Sequence, residues 1–346
     1  MLRYLTAGES HGVSLIGILE GLPAGLKIDE KTINLELKRR QGGYGRGARM
    51  KIETDKVRIL SGVRKGISIG SPIALLINNK DASIDNLSSF TNLRPGHADL
   101  PGCLKYGFSD ARNVLERSSA RETAMRVAIG AVCKIFLSEF RIKINSRVVM
   151  IGGEYSLSKM KAKIDVALAK RDSVGGIFEI KGENIPVGLG SYVHGDRRFD
   201  ACLAGGIMSI PGIKAVEFGL GFGYAGQFGS EVHDIIAYSV KKGFFRLTNN
   251  AGGIEGGVSN GEDLVLRCVM KPVPTLGKPL KSVDLITKKI LKASVQRADV
   301  CVVEAAGVVA EAVVAFEVSR AMLEKFGNDS LKEVKENLKN YLKNTR

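Results

Sequence analysis

The chain has 346 residues, with 51 Lys and Arg against 36 Asp and Glu, a formal charge of +15 and 44% hydrophobic residues. Such a composition excludes a disordered or collagen-like chain, and the length supports one large domain or two modest ones without staples. The positive excess calls for an anionic partner: a nucleic acid, an acidic membrane surface or a polyanionic small molecule.

In chain order, Leu2 to Leu5 and Val13 to Leu19 read as strands around a tight turn, Gly-Glu-Ser-His-Gly at 8–12. Asp29 caps a helix through about Arg40, with Ile33, Leu35 and Leu37 as its apolar residues. Strands are expected at 57–60 and 72–77, and a polar loop over 79–102. Ser119 to Glu122 has the capping-box pattern, in which Ser accepts from the third helical N–H and Glu reaches back. Behind it, Met125, Ile129, Val132 and Phe136 recur at helical spacing. A helix at about 158–171 and strands at 176–180 and 186–193 follow. Residues 201–260 are glycine-rich, an apolar helix covers about 305–326, and a short amphipathic helix near 330–343 ends the sequence. Helices and strands mix without βαβ alternation, which predicts an α+β fold. Core-like segments run from end to end, so residues 1–346 are read as one domain.

Five cysteines at scattered positions, with no C-x-x-C pair, fit reduced thiols in a cytoplasmic protein and supply no metal site. The N-terminus lacks the basic and apolar regions of a signal peptide. The longest apolar stretch, Val300 to Phe316, contains Glu304 and Glu311 and is too short to span a bilayer.

Two of the four histidines, His11 and His97, sit in glycine turns beside charged residues, where an imidazole can exchange protons near neutrality. His194 and His233 lack that setting and read as structural or solvated. Arg117, Ser118 and Ser119 precede a helix, and helix N-termini bind phosphate readily. Between 38 and 51 lie Lys38, Arg39, Arg40, Arg46, Arg49 and Lys51 with no acid between them. This segment fits an RGG-like nucleic-acid contact, a flap around a small polyanion, or a solvated basic loop. Four glycines at 252–257 let backbone N–H groups approach a phosphate or a flat ring. Two prolines stiffen Lys271-Pro-Val-Pro-Thr275, and Arg297-Ala-Asp299 precedes the alanine-rich helix.

Together the blocks at 8–12, 39–47, 94–99, 117–123, 216–222, 252–261, 271–275 and 305–312 resemble those of the chorismate synthases, in family order from residue 1 to about 327. The resemblance implies a helical layer between antiparallel sheets, usually in a homotetramer. It implies a lyase of the shikimate pathway that converts 5-enolpyruvylshikimate-3-phosphate to chorismate and phosphate. This 1,4-elimination requires reduced FMN without net redox change, with NADPH as an available reductant. By carry-over, FMN contacts fall on Arg117, Ser118, Ser119, Pro211, Gly212, Gly256, Lys271, Pro272, Val273, Pro274, Thr275 and Arg297. Arg40, Arg46, Arg49 and Arg121 are assigned to substrate or NADP. His11 would protonate the departing phosphate, His97 would keep the flavin in its working protonation state, and Asp299 would help remove the ring proton by way of flavin N5. The connections near 80–93 and 153–175 look short for the family. Two other classes compete: a nucleic-acid-binding protein using 38–51, and an FMN oxidoreductase that passes hydride from NADPH to an external acceptor. The partner expected here is a small molecule, with neither nucleic acid nor membrane.

Overall fold

The computed structural model describes residues 1–47, 54–296 and 299–345. Side-chain alternation builds the first sheet. β1 (Arg3–Ala7) pairs antiparallel with β2 (Ser14–Glu20), with Leu5 opposite Ile18. Leu15 and Leu19 point into the core while Ile16 and Ile18 point out, as a period of two requires. β3 (Val57–Ile59), the hairpin β4 (Val63–Arg64) and β5 (Ile67–Ser68), and β6 (Ile73–Asn78) follow; the sheet order is β1-β2-β6-β3.

The second sheet begins with β7 (Lys143–Ile151), β8 (Gly176–Glu183) and β9 (Ile213–Phe218). Two hairpins intervene, β10 (Ile236–Ser239) with β11 (Gly243–Arg246), and β12 (Ile254–Glu255) with β13 (Val258–Ser259). β14 (Leu264–Met270) then inserts between β8 and β9 in the antiparallel order β7-β8-β14-β9. A last hairpin pairs β15 (Lys281–Val283) with β16 (Ile290–Lys292).

The helices are α1 (Glu30–Gln41), α2 (Asp99–Tyr106), α3 (Ala111–Ser118), α4 (Thr123–Ser138), α5 (Leu157–Ala169), α6 (Phe199–Met208), the single turn α7 (Gly229–Val232), α8 (Val303–Phe326) and α9 (Leu331–Lys343). Helix α4 lies on β2 and β6, α8 lies on β7 and β8, and the two helices pack on each other. The result is an α+β sandwich with helices between two antiparallel sheets. The two central helices come very close. A Cβ at Gly130 of α4 would stand 2.3 Å from Ala312 Cβ of α8. The core between the sheets draws on residues from Leu2 to Val334.

One buried charge ties the layers together. Glu311 of α8 is fully buried and accepts from Arg39 Nη1 and Nη2 of α1 at 2.7 and 2.8 Å. It also accepts from the Ser146 backbone N–H and hydroxyl of β7 at 2.8 and 2.6 Å, and Lys134 of α4 reaches the same carboxylate. Burial alone would raise its pKa, but these bonds outweigh burial and hold the carboxyl below its ordinary value.

Several local expectations fail for identifiable reasons. No strand forms at 186–193: Pro186 removes a ladder donor, Gly188 and Gly190 adopt positive φ, and Gly190 makes one isolated bridge to Val258. The capping box does not form. Ser119 Oγ accepts from Arg121 N at 3.3 Å and starts a 3-10 turn over Ala120–Glu122 before α4. Glu122 instead accepts from Thr6 Oγ1 at 2.7 Å and pairs with Arg126. The loop expected at 79–102 ends in the first turn of α2. Leu35 of α1 faces solvent rather than the core.

Candidate active site

Most of the loops that carry the sequence motifs converge on one cavity of about 820 Å3, while the blocks at 216–222 and 252–261 lie outside its lining. The turn between β1 and β2 supplies His11, the end of α1 supplies Arg40, and the following loop supplies Arg46. The break between α3 and α4 supplies Ser118, Ser119 and Arg121. Pro211 and Gly212 come from the turn before β9, Lys271, Val273, Pro274 and Thr275 from the end of β14, and Asp299 from the approach to α8. Gly212 has φ +88, and its carbonyl accepts from Lys271 N at 3.0 Å. A side chain there would strike Met270, so only glycine joins the two loops in this way.

Not every candidate residue reaches the cavity. Arg117 turns back and donates to the carbonyls of Gly8 and Thr6 at 2.9 and 3.0 Å. Gly256 sits in the turn between β12 and β13, and neither it nor Pro272 lines the cavity. Arg49 and Arg297 lie outside the described residues. His194 and His233 are exposed and do not line the cavity.

Each of the two motif histidines faces the cavity with a carboxylate behind it. His11 Nδ1 is 3.0 Å from Glu116 Oε1, and the His11 backbone N–H donates to Oε2 at 2.8 Å. Burial would raise the Glu116 pKa, but the His11 bonds prevail and keep it ionised below the ordinary range. His97 Nδ1 lies 2.6 Å from Asp99 Oδ1. The buried Arg94 donates to both oxygens of Asp99 at 2.8 Å and to Thr275 Oγ1 at 3.1 Å. These contacts overcome burial and hold the Asp99 carboxyl well below its usual value. A carboxylate at Nδ1 favours the tautomer that carries its proton there.

The arginines form a second group. Arg40 is buried, donates to Ala120 O at 2.8 Å and to Thr123 Oγ1 at 3.0 Å, and stands 3.7 Å from Asp55. Arg121 donates to the same Asp55 at 2.6 Å and to Asn79 Oδ1 at 2.8 Å. Burial lowers the Arg40 pKa to about 10 despite Asp55, and Arg121 and Arg46 add to the fall. Arg46 pairs with Asp299 at 3.4 Å, and Asp299 also accepts from Gly47 N at 2.5 Å. Burial, with Lys214 nearby, lowers the Lys271 pKa; its ammonium rests on Gly96 O. Among the described residues, buried Arg40 Nη1, Arg46 Nε and Ser118 Oγ make no hydrogen bond. Unmet donors beside a cavity fit an anionic ligand.

Among residues 38–47, Arg39 is held by Glu36 and Glu311, while Arg40 and Arg46 face the cavity. They do not form an open basic strip. Sequence reasoning missed Glu116, Asp55 and Asn79, which carry no glycine, histidine or basic cluster to mark them.

Comparison with known proteins agrees with this geometry. The chorismate synthase family model matches residues 2–323. The chain belongs to the chorismate synthase family. The chorismate synthase of Geobacter sulfurreducens is 53% identical over 391 aligned residues, covering all of both chains. That of Thermoanaerobacter pseudethanolicus is 56% identical over 344 residues, covering 99% of this chain and 98% of its own. A crystal structure of chorismate synthase superposes with a TM-score of 0.83 at 42% identity, covering 99% of this chain and 98% of the other. Membership makes the protein a carbon–oxygen lyase (EC 4.2.3.5) of the shikimate pathway that acts on a small molecule. The 391-residue alignment outruns the 346 residues of this chain, while the 344-residue alignment does not, so the shorter length is shared with a close relative. Among the described residues no helix is long and apolar enough to cross a membrane.

Proposed function

We propose that the 820 Å3 cavity binds 5-enolpyruvylshikimate-3-phosphate together with reduced FMN and eliminates phosphate to give chorismate. The observation that carries this reading is the pairing of two carboxylate-backed histidines with three anchored arginines around one space. Family membership implies the flavin, and the unmet donors on Ser118 and Arg46 fit an anionic group. Ser118, Ser119, Pro211, Gly212, Lys271, Val273, Pro274 and Thr275 would hold it, with Pro272 stiffening the segment. Arg117 and Gly256 would support it from outside the lining, and Arg297 would belong to the same set. When bound, reduced FMN supplies electron density that eases cleavage of the C–O bond to phosphate.

The protein supplies position and protons. Arg40, Arg46 and Arg121, with Arg49 on the family pattern, pair the two carboxylates and the phosphate of the substrate. A guanidinium fork suits them because it binds such groups bidentately. The anchoring of Arg40 and Arg121 on Asp55, Asn79 and Thr123, and of Arg46 on Asp299, fixes the geometry before the ligand arrives. His11 delivers a proton from Nε2 to the leaving phosphate. His97, with Asp99 behind it, would keep the bound flavin in its working protonation state. Asp299 takes up the proton lost from the substrate ring.

A general acid or base contributes about 10²–10⁴-fold. His11→Ala and His97→Ala are each expected to lower turnover at least about tenfold with FMN binding largely kept. The assay is anaerobic incubation with substrate and reduced FMN, measuring chorismate and phosphate. Bound flavin without product in the wild type would remove the lyase reading. If the chain reduces its own FMN, NADPH is consumed when FMN alone is added; otherwise activity requires dithionite or a separate reductase.

We also propose a single domain, since one core spans Leu2 to Val334, and a cytoplasmic location, in keeping with five free thiols. Self-association, as the homotetramer that the family resemblance implies, is in keeping with the outer face of the first sheet, where Leu5, Ile16 and Ile18 are exposed.

A further inference from the structure

The end of α3 grips the His11 turn at several points. Ser10 N donates to Glu116 O at 2.8 Å, and Arg117 reaches the carbonyls of Gly8 and Thr6. The Glu116 side chain itself spends both oxygens on His11: Oε1 and Oε2 lie 3.0 and 3.1 Å from Nδ1, and Oε2 also accepts from the backbone N–H. The carboxylate is buried, and its other cation, Arg112 Nη1, is farther off at 3.8 Å. Around the ring stand Glu116 and Arg112 from α3, Asp81 from the segment after β6, 3.9 Å from Nε2, and Glu9, whose carboxylate lies over Gly12 in the same turn.

We propose that Glu116 is a positioning residue for the elimination: it holds His11 with the proton on Nδ1 and stabilises the doubly protonated ring that donates from Nε2 to the leaving phosphate. The inference rests on the lyase reading above. A carboxylate that only anchored the turn would need the backbone N–H alone. Here both oxygens also meet ring Nδ1, at 3.0 and 3.1 Å, where they set the tautomer. The step balances simply. The C–O bond electrons leave with phosphate, the Nε2 proton follows them, the electrons of the broken ring C–H bond complete the new double bonds as Asp299 takes that proton, and the imidazole is left neutral with its Nδ1–H hydrogen-bonded to Glu116.

The test compares wild type, Glu116→Gln and Glu116→Asp, each loaded with FMN and reduced anaerobically. Glutamine keeps the shape but removes the charge. The kcat of Glu116→Gln should fall by about tenfold or more, with KM for the substrate within about twofold. The alkaline limb of its kcat profile should move to lower pH by about one unit. Glu116→Asp, which restores the charge, should return the limb toward the wild-type position. A profile that superimposes on the wild type, or a loss confined to KM, overturns the proposal. Nitrogen NMR of the four histidines gives a readout independent of turnover. Wild-type His11 should carry Nδ1–H, and Glu116→Gln should lose that preference. Absence of Nδ1–H in the wild type overturns the proposal even if chorismate forms. Its presence in a wild type that makes no chorismate removes the lyase reading and leaves the positioning contact standing.

Discussion

Glu317 of α8 is a buried carboxyl whose pKa burial raises to about 7, with only partial relief from Arg320. Arg320 Nη2 is 2.7 Å from Oε2 but lacks hydrogen-bond geometry. The folded state therefore keeps this proton at pH values where the unfolded chain has released it. Stability should fall as pH rises from about 4.5 to 7, and stay at the lower level above that window. A shift of this size corresponds to about 3 kcal/mol. Chemical denaturation at pH 5 and pH 8 checks it: Glu317→Gln should flatten the difference and be the more stable protein at pH 8. The two histidines that line the cavity are marked in the sequence because rare residues stand in glycine turns. Glu116 and Asp55 were not, since an acid inside a helix or loop looks like any solvated acid until folding buries it against an imidazole or two guanidiniums. Arg117 reads differently at the two levels. Its neighbours suggested a phosphate, while its guanidinium binds the chain's own carbonyls.

Elements were legible where one periodicity held over a long stretch. α8 and α1 fall within a residue or two of expectation, because continuous apolar spacing marks the first and the Asp29 cap marks the second. The short helices α2 and α3 escaped notice. Their eight residues each give barely two turns of pattern, and Pro101 in the first turn of α2 reads as a loop signal although that position tolerates it. Packing of α4 on α8 was illegible too, since spacing says which face is buried but not against what. That crossing makes its own prediction. Glycine to alanine inside a helix ordinarily gains about 1 kcal/mol. At Gly130 the new methyl would meet Ala312 Cα at 2.4 Å and its carbonyl oxygen at 2.6 Å. Backbone cannot yield cheaply, so Gly130→Ala should instead cost about 1–3 kcal/mol, read as a lower thermal midpoint.

For the whole molecule, the +15 charge divides into a part that faces the cavity and a part that covers the surface. The first sheet differs: its outer face exposes Leu5, Ile16 and Ile18, with Arg3, Glu20 and Arg58 on the same face. Light scattering should report about four times the 37.2 kDa chain mass, and Ile18→Lys should lower that mass. The buried Arg40 has a consequence for the life of the protein in solution. Its guanidinium keeps one amino group without a hydrogen bond among the described residues, 3.7 Å from the nearest carboxylate. Without a ligand, that group draws down the stability supplied by the core. An anion that completes it returns the difference, and ligand at a hundred times Kd adds about 2.7 kcal/mol. Heat resistance should therefore climb with substrate concentration, and inorganic phosphate should mimic part of the rise. Arg40→Met should melt no lower than the wild type in plain buffer and respond little to either ligand. A cell short of the substrate would hold a softer enzyme, so the metabolite feeding this step also sets how long its catalyst survives.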